Sequence, residues 1–566
     1  MFAINPVRRA FIGLLFSLSF SLWGCADGSS PSPVQQVASG DGIVPAAQTG
    51  NQTPPINGQD PLSTEPAAQG ATPASVVAQA VSPILAVQAP KLVKTLVGSG
   101  YDEGWMSSPA IADLDKDGYP EIIAARGRTL YVWHSDGTLY WKGLAATTGR
   151  IWGPPVVADL DADGRLEVAV GSHQERVSVW QWNGAVKPGF PKVLGGNTEI
   201  RALAAGVISA DGKMGLLAAR TLVKPIAFLI NSAGAIMSGW PQLSATTGCN
   251  PKVTCWEAGA YNQNVGIADF DGDGKNDMII SYDTAYNGVF KMNGVPFSTA
   301  AYFKRRYFSG VPNFHDPNLA IQGWGPDGAD RSEFTDSPPV VADLDGDGKR
   351  ELILVGDHEQ AGNTTNRGNA LFVYHSDASR AAGFQYPFTT GMPLVYDDPG
   401  ANILDVTPSP AVVDLDGDGK KEIIFPSYDG NMYAVHPNGK LFWKFSFANN
   451  GARFASEPVV ADLNKDGLPE IIFSTYETTA GKGALVVLNR LGQKVAQTPL
   501  PGRGSMSAPT IADVYRNGEL EVIVNLKDNA VTGGGIQIYS IPGSKTNQIL
   551  WPTGRGNYLR NGDATH

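Results

Sequence analysis

Acidic residues recur at a fixed spacing in six short segments of this 566-residue chain. In the first segment, Asp113, Asp115, Asp117 and Glu121 hold positions 1, 3, 5 and 9 of a loop, and Gly118 holds position 6. Alternate positions of a tight turn direct every second side chain towards one centre, and glycine permits the sharp bend. Carboxylate and carbonyl oxygens without His or Cys favour Ca²⁺ over transition metals, and Mg²⁺ prefers fewer protein ligands and more retained water. The pattern therefore predicts bound calcium, about six ions in all.

In each loop, positions 1, 3, 5 and 9 offer side-chain oxygens and position 7 offers its backbone carbonyl. The predicted ligands are Asp113, Asp115, Asp117, Tyr119 and Glu121; Asp159, Asp161, Asp163, Arg165 and Glu167; Asp269, Asp271, Asp273, Lys275 and Asp277; Asp343, Asp345, Asp347, Lys349 and Glu351; Asp414, Asp416, Asp418, Lys420 and Glu422; and Asp462, Asn464, Asp466, Leu468 and Glu470. One such loop could merely reverse the chain, but six loops with matching spacing favour a metal site. Two further copies lack most of the acids, with Val207 at position 1 of one and Tyr515 at position 3 of the other, and we expect both to bind metal poorly.

The elements that position these loops are short apolar strands. One strand enters each loop and another leaves it, and turn signals such as Asp136-Gly137 and Asn438-Gly439 then predict a hairpin to a third and a fourth strand. The eight copies begin 46 to 74 residues apart, a period typical of repeated structural units. Four strands repeated eight times predict an all-β propeller of eight blades, with seven as the alternative, and calcium loops between first and second strands. The segment from Pro90 resembles a fourth strand and is expected to close the ring.

These loops, written D-x-D-x-D-G-x-x-[ED] between two apolar strands, resemble the FG-GAP/VCBS repeats of bacterial surface proteins. They also resemble the calcium-binding blades of the integrin α-subunit head. The resemblance covers roughly residues 91–562 and implies a β-propeller with calcium in its blades. It says less about activity, because that family includes adhesion proteins, carbohydrate binders and some polysaccharide lyases.

The beginning of the chain is typical of an exported lipoprotein. Arg8 and Arg9 precede an apolar run that stops at Gly24-Cys25, so residues 1–25 are predicted to be a signal peptide and Cys25 the lipidated residue. The alternative is an ordinary signal peptide that ends near a cysteine. Residues 26–90 contain no aromatic residue, Lys or Arg and are predicted to be a disordered tether to the propeller of residues 91–566. This places the protein in the cell envelope, at the outer membrane or cell surface, or facing the periplasm.

The two remaining cysteines lie close together in the sequence and are expected to be bonded to each other. Cys249 and Cys255 are the two cysteines that remain, and an oxidising compartment favours a disulfide between them. Zinc is the alternative, although no His or further Cys lies nearby in the sequence to complete four ligands. The charge of the chain bears on its class of partner: the formal net charge of −11 argues against nucleic acid.

Insertions that make some repeats longer than the others indicate where a partner binds. It falls in segments 241–263, 297–337, 357–369 and 387–409, which join blades or join second to third strands, and so should share the face opposite the acidic loops. Long loops on a rigid scaffold commonly carry function. The predicted partner-binding residues are Arg305, Arg306, His315, Trp324 and His358. The alternative is that these aromatic residues form a small core beneath the insertions.

No motif in the chain indicates a reaction, and we assign no catalytic residue. A nucleophile elbow, a zinc-binding helix and a phosphate-binding loop are all absent from the sequence. His134, His375 and His436 occupy matching third-strand positions and are predicted to be structural. The sequence thus favours a non-enzymatic protein that binds a polysaccharide or a protein. A lyase-like, polysaccharide-active enzyme and a scaffold subunit of an envelope assembly are the alternatives.

Overall fold

The described part of the chain is built almost entirely of β-strands. The computed structural model describes residues 86–98, 102–221, 227–242, 260, 262–281, 286–297, 308–309, 331–333, 337–359, 366–385, 387–391, 407–452, 454–478, 481–529, 533–545 and 548–565. Within these ranges the one helix is a 3₁₀ turn at Ala448–Asn450. A search of the same ranges found no helix with the length and hydropathy needed to cross a membrane.

Strands of the first four blades follow one another along the chain after a separate first strand, β1 (Lys91–Leu96). Blade 1 contains β2 (Ala110–Ala112), β3 (Glu121–Arg126), β4 (Thr129–Trp133) and β5 (Leu139–Leu144). Blade 2 contains β6 (Val156–Ala158), β7 (Glu167–Ser172), β8 (Arg176–Gln181) and β9 (Lys192–Val193). Blade 3 contains β10 (Ile200–Val207), β11 (Met214–Arg220) and β12 (Ala227–Asn231), and blade 4 contains β13 (Val265–Ala268), β14 (Asp277–Ser281), β15 (Tyr286–Lys291) and β16 (Phe308–Ser309). In blade 3 a bridge between Ala227 and Gln242 stands where the fourth strand would pair.

The last four blades carry the additional strands. Blade 5 contains β17 (Arg331–Glu333), β18 (Val340–Ala342), β19 (Glu351–Glu359), β20 (Asn366–Tyr374) and β21 (Phe388–Thr389). Blade 6 contains β22 (Ala411–Val413), β23 (Glu422–Pro426), β24 (Asn431–Val435) and β25 (Leu441–Ser446). Blade 7 contains β26 (Phe454–Ala455), β27 (Val459–Ala461), β28 (Glu470–Tyr476), β29 (Ala484–Asn489) and β30 (Lys494–Pro499). Blade 8 contains β31 (Thr510–Ala512), β32 (Glu519–Asn525) and β33 (Ile536–Lys545), and β34 (Ile549–Trp551) follows it.

The burial of each strand follows its place in the blade. Second strands such as β3 and β7 are buried at every residue, because neighbouring blades cover both faces of each sheet. Their sequences are accordingly apolar on both faces. Outer strands such as β5 contain both exposed and covered residues. The buried side chains of neighbouring blades pack into shared clusters, which form the core between the sheets.

The ring closes as the sequence predicts. Strand β1 pairs antiparallel with β33, from Lys91 opposite Ser540 to Leu96 opposite Ile536, so the first strand of the body completes the last blade. Behind this seam the buried guanidinium of Arg126 in blade 1 donates to Asn525 Oδ1 and to the carbonyl of Asp528 in blade 8. The eight blades therefore form a continuous ring of described strands.

Loops between first and second strands define one face of the propeller, here called the acidic-loop face. Connections between blades, and between second and third strands, define the opposite face. On that face the described residues of the 357–369 insertion, which was predicted to be a loop, are strand: residues 357–359 and 366–369. They lengthen β19 and β20 to nine residues each. Part of the 297–337 insertion also returns as β17, which pairs Ser332 with His358 on the extended β19. Added backbone pairing is the physical reason that these residues continue the sheet of blade 5.

The segment 548–565 crosses the axis of the ring and contacts all eight blades. Strand β34 pairs with β27, the first strand of blade 7. The carbonyls that follow accept hydrogen bonds from first-strand amides of several blades; the bonded pairs are Ile511–Pro552, Val157–Tyr558, Ala205–Leu559, Ile267–Asn561 and Val341–Gly562, at 2.8–3.0 Å. Arg560 donates to the carbonyl of Pro109 in blade 1, and Lys421 of blade 6 donates to the carbonyl of Ala564. The axial channel is thus filled by the chain's own backbone.

Candidate metal centres

The carboxylate at position 9 of each acidic loop fixes the loop with one of its oxygens. Glu121 Oε2 accepts a hydrogen bond from the backbone N–H of Leu114 at 2.8 Å. The same bond, from position 2 to position 9, recurs in the other five loops at 2.8–3.0 Å. Because one oxygen is committed to the backbone, the other is left facing the centre of the loop.

Positions 1 and 5 are held in the same manner. Asp113 Oδ2 accepts from the N–H of Gly118 at 3.1 Å, and Asp117 Oδ1 accepts from the N–H of Tyr119 at 2.7 Å. Both bonds recur in all six loops. At position 1 of blades 2, 5, 6 and 7 the other carboxylate oxygen also accepts from a loop N–H, as Asp159 Oδ1 does from Asp163. Such backbone bonds organise the oxygens before any ion arrives, which favours binding.

Glycine at position 6 is required by backbone conformation. Gly118 has φ +95°, and a Cβ added there would meet nothing within 4 Å. Steric space is therefore available, but a left-handed φ is strained for other residues. This conformation turns the chain so that positions 1, 3 and 5 share one side of the loop.

The free oxygens are crowded and partly buried. In the first loop the carboxylates of Asp113, Asp115 and Asp117 include oxygens that lie within 4.8 Å of one another. Asp113 Oδ1 is buried and makes no hydrogen bond to the described residues. Burial raises the pKa of Glu351 to about 7 and the pKa of Glu470 to about 8. A bound cation would favour the charged forms of these groups, so the donor set fits calcium.

Three histidines border the loops, and the sequence analysis missed this contact. His134 Nδ1 lies 3.1 Å from Glu121 Oε1, His375 Nδ1 lies 3.1 Å from Glu351 Oε1, and His436 Nδ1 lies 2.9 Å from Glu422 Oε1. Each histidine directly follows a third strand and lies immediately beside the position-9 carboxylate. The sequence feature that could have indicated this contact is the position that the three histidines share, just before the hairpin turn.

In the loops of blades 4 and 2, a lysine rather than a histidine contacts the acidic residues. Lys291 ends the third strand of blade 4, in the place that His134 occupies in blade 1, and its Nζ contacts Asp271, Asp273 and Asp277. In blade 2, Lys187 reaches the loop from the chain after the third strand. The predicted metal ligands Asp161 and Glu167 are its two partners. The sequence analysis also missed both lysines, because they lie 14 to 26 residues beyond the acidic positions that they meet.

The two divergent copies keep the loop shape without the donor set. In the third blade, Val207 offers no side-chain oxygen at position 1, and Asp211 is paired with Lys213 at 2.5 Å. In the eighth, Glu521 still accepts from the N–H of Val514 at 2.9 Å, but Tyr515 occupies position 3. Weak metal binding at both copies stays a prediction.

Several predicted residues lie outside the described residues. They are Cys25, Cys249, Cys255, Arg305, Arg306, His315 and Trp324, so lipidation, the disulfide and most of the partner-binding set stay predictions. His358 is placed by its backbone on β19, on the opposite face as predicted. The four insertions are represented by their described parts alone.

Near the axis, the opposite face bears an apolar depression that the sequence analysis did not identify. Its lining comprises Met106, Pro408, Pro426, Ser427, Tyr428, Phe454, Ala455 and Met506. Beside it the rings of Trp105 and Trp152 stack at 4.8 Å, and the Arg150 guanidinium lies 3.8 Å from the Trp105 ring. These residues come from segments that are distant in sequence, so no local pattern could bring them together.

Comparison with known proteins agrees with the repeat pattern. A family model described as FG-GAP-like repeat matches residues 113–170 and 414–473. A comparison with curated protein sequences found no match.

Solved structures similar to this chain include the V. cholerae biofilm matrix protein Bap1, at 14% identity and TM-score 0.48, covering 81% of this chain and 92% of that one. They also include the Dos1 propeller, at 13% identity and TM-score 0.44, covering 81% and 97%. The fold assignment rests on the strand pairing of this chain itself, blade by blade. Together with the matched repeats, that pairing makes the chain an eight-bladed β-propeller that carries FG-GAP-like repeats.

Proposed function

We propose that this protein is a calcium-binding, lipid-anchored protein of the cell envelope that binds a polysaccharide or a protein partner. The partner docks on the opposite face, and calcium stabilises the acidic-loop face of the scaffold. The observation that carries this proposal is the shared architecture of the six loops. In each of them the acids at positions 1, 5 and 9 accept hydrogen bonds from backbone N–H groups of the loop, which hold the carboxylates around a common centre.

Calcium suits these loops better than other common metals. Every predicted side-chain donor in the first, fifth and sixth blades is a carboxylate oxygen, and position 7 adds a backbone carbonyl. When bound, the ion supplies charge neutralisation and cross-links the entering and leaving strands. The chain's own contribution is to hold its oxygens in a preformed ring.

Partner binding on the opposite face is supported by the distribution of chain length. The described hairpin turns of the acidic-loop face are short, as at His134–Thr138 and His436–Lys440, where the two flanking residues are hydrogen-bonded directly. By contrast, blade 5 extends β19 and β20 outwards on the opposite face and adds β17 to them. Among these elements, the additional residues therefore lie on the opposite face. This is expected of a recognition surface that is built on a rigid scaffold.

Substitutions on the opposite face should weaken partner binding without changing the calcium sites. A polysaccharide and envelope-protein array, probed with the full chain in calcium, would identify the partner. Trp324→Ala or Arg306→Ala should then weaken binding by roughly 30-fold, which corresponds to about 2 kcal/mol at an interface hot spot. Melting temperature and bound calcium should stay unchanged.

A charge reversal on the acidic-loop face provides the matched control. Lys440→Glu is suitable because Lys440 is exposed on the hairpin turn of blade 6. Asp136 is less suitable, because its carboxylate accepts two hydrogen bonds from Thr138. Loss of binding in Lys440→Glu together with normal binding in Trp324→Ala would contradict the proposal, because it would place the partner on the acidic-loop face.

Lipid anchoring depends on Cys25, which follows the apolar run directly. Cys25→Ser should leave the precursor unprocessed or release the protein from the membrane fraction, since the thiol is the acceptor of the lipid. Fractionation and intact mass identical to those of the parent chain would contradict the anchor.

A further inference from the structure

Not all six acidic loops have the same electrostatic surroundings. In blade 4, Lys291 Nζ lies 2.7 Å from Asp271 Oδ2, 3.0 Å from Asp273 Oδ2 and 3.0 Å from Asp277 Oδ1. These carboxylates occupy positions 3, 5 and 9. A calcium ion in this loop would have to lie within about 2.3–2.6 Å of oxygens from the same residues. The ammonium group therefore occupies the place of the ion.

A second basic side chain contacts the remaining acid of this loop. Arg350 of blade 5 contacts Asp269, the position-1 residue of the blade 4 loop, at 2.6 Å. All four acids of the loop are thus paired with a basic side chain of the same chain. Binding calcium here would require at least Lys291 to leave its three partners.

Blade 2 shows the same arrangement from a different part of the sequence. Lys187 Nζ contacts Asp161 Oδ2 and lies 3.0 Å from Glu167 Oε1, so it joins positions 3 and 9. The Lys187 side chain is only 4% exposed, and its backbone N–H is bonded to Val179. It is enclosed by the blade, so it cannot move into solvent without disturbing the packing around it.

The other four loops lack such a lysine among their described contacts. In blades 1, 5 and 6 the equivalent neighbour of the position-9 acid is His134, His375 or His436. In blade 7, Asn464 lies 3.4 Å from Glu470. Lys349 of blade 5 reaches one acid, Asp347, from the rim, and its side chain is 74% exposed.

We infer that the loops of blades 2 and 4 carry a lysine ammonium as a built-in cation and do not bind calcium, so that the protein binds four ions rather than six. This inference rests on the proposed calcium binding and refines it. Two blades are stabilised whether or not calcium is present, and four depend on it. The four calcium loops lie in blades 1, 5, 6 and 7, and blades 5 to 7 form one continuous arc.

Counting ions in matched variants tests the inference. The full chain is dialysed to equilibrium against calcium, and bound metal is measured per chain. The parent should bind four ions, Lys187→Met and Lys291→Met five each, and the double variant six. Methionine keeps the length and apolar stem of lysine but removes the charge. Lys440→Met is the control, because Lys440 is exposed on the hairpin turn of blade 6 and is not a predicted ligand, and this variant should still bind four.

The converse substitution places a lysine where none is present. His134→Lys puts an ammonium at the blade 1 position equivalent to Lys291 and should lower the count to three. A parent count of five or six would overturn the inference, as would unchanged counts in both methionine variants. No bound calcium in the parent or any variant would instead contradict the proposed calcium binding itself.

Discussion

Removal of calcium should lower the melting temperature of the full chain by on the order of 10 °C or more. Each ligand that binds only the native state adds about 2.7 kcal/mol when its free concentration is 100 times Kd, and several loops act together. Without the ion, each of the four calcium loops holds three or four carboxylates within a few ångströms, which repel one another. Thermal unfolding followed by circular dichroism, in millimolar calcium and in a calcium-selective chelator, measures the difference.

Two controls separate calcium from general salt effects. Equimolar Mg²⁺ added with the chelator should restore little of the loss, because Mg²⁺ retains its waters and prefers octahedral geometry. Asp416→Asn removes one charged donor from the blade 6 loop, so it should reduce the calcium-dependent shift and leave the melting temperature in chelator nearly unchanged. An identical melting temperature with and without chelator would contradict calcium-dependent stability.

Arg555→Ala should destabilise the propeller by about 3–5 kcal/mol, because it removes a buried charge together with its hydrogen bonds to buried carbonyls. The Arg555 side chain is fully buried at the axis and donates to the carbonyls of Gln263, Val265 and Pro339 at 2.7–3.2 Å. Buried Glu457 lies beside it and accepts from its backbone N–H at 2.9 Å. Alanine would leave three carbonyls without their donor and remove the positive charge near Glu457.

An exposed arginine provides the comparison. Arg516→Ala removes the same charge from the exposed turn of blade 8 and should change stability by no more than about 0.5 kcal/mol. Chemical denaturation of both variants in saturating calcium keeps the metal contribution constant. If Arg555→Ala unfolds at the same denaturant concentration as the parent, the axial segment does not tie the blades together.

Most of the ring could be predicted from the sequence because its information is local. The acidic spacing, the apolar strands around it and turn pairs such as Asn438-Gly439 all lie within one repeat, and repetition identifies them. Even the closing strand β1 has the character of a fourth strand. The prediction of eight blades is therefore confirmed, including the third blade, where Val207 and Gly215 depart from the loop pattern.

The features that the sequence could not predict are contacts between residues that are distant along the chain. Residues 552–565 have no strand alternation, so their sequence does not show that they cross the axis and meet every blade. Lys187 and Lys291 have the composition of ordinary surface residues, and only the folded hairpins bring them to the acids. The extension of β19 and β20 was likewise hidden, because the segment 357–369 is polar and had the character of a loop.

The number of calcium ions bound per chain tests the central claim most directly. Metal analysis of the full chain, after equilibrium dialysis against calcium and removal of free ion, gives this number without reference to any partner. The loop geometry and the two lysines predict four ions. A count of zero would contradict the assignment of the acidic loops as calcium sites.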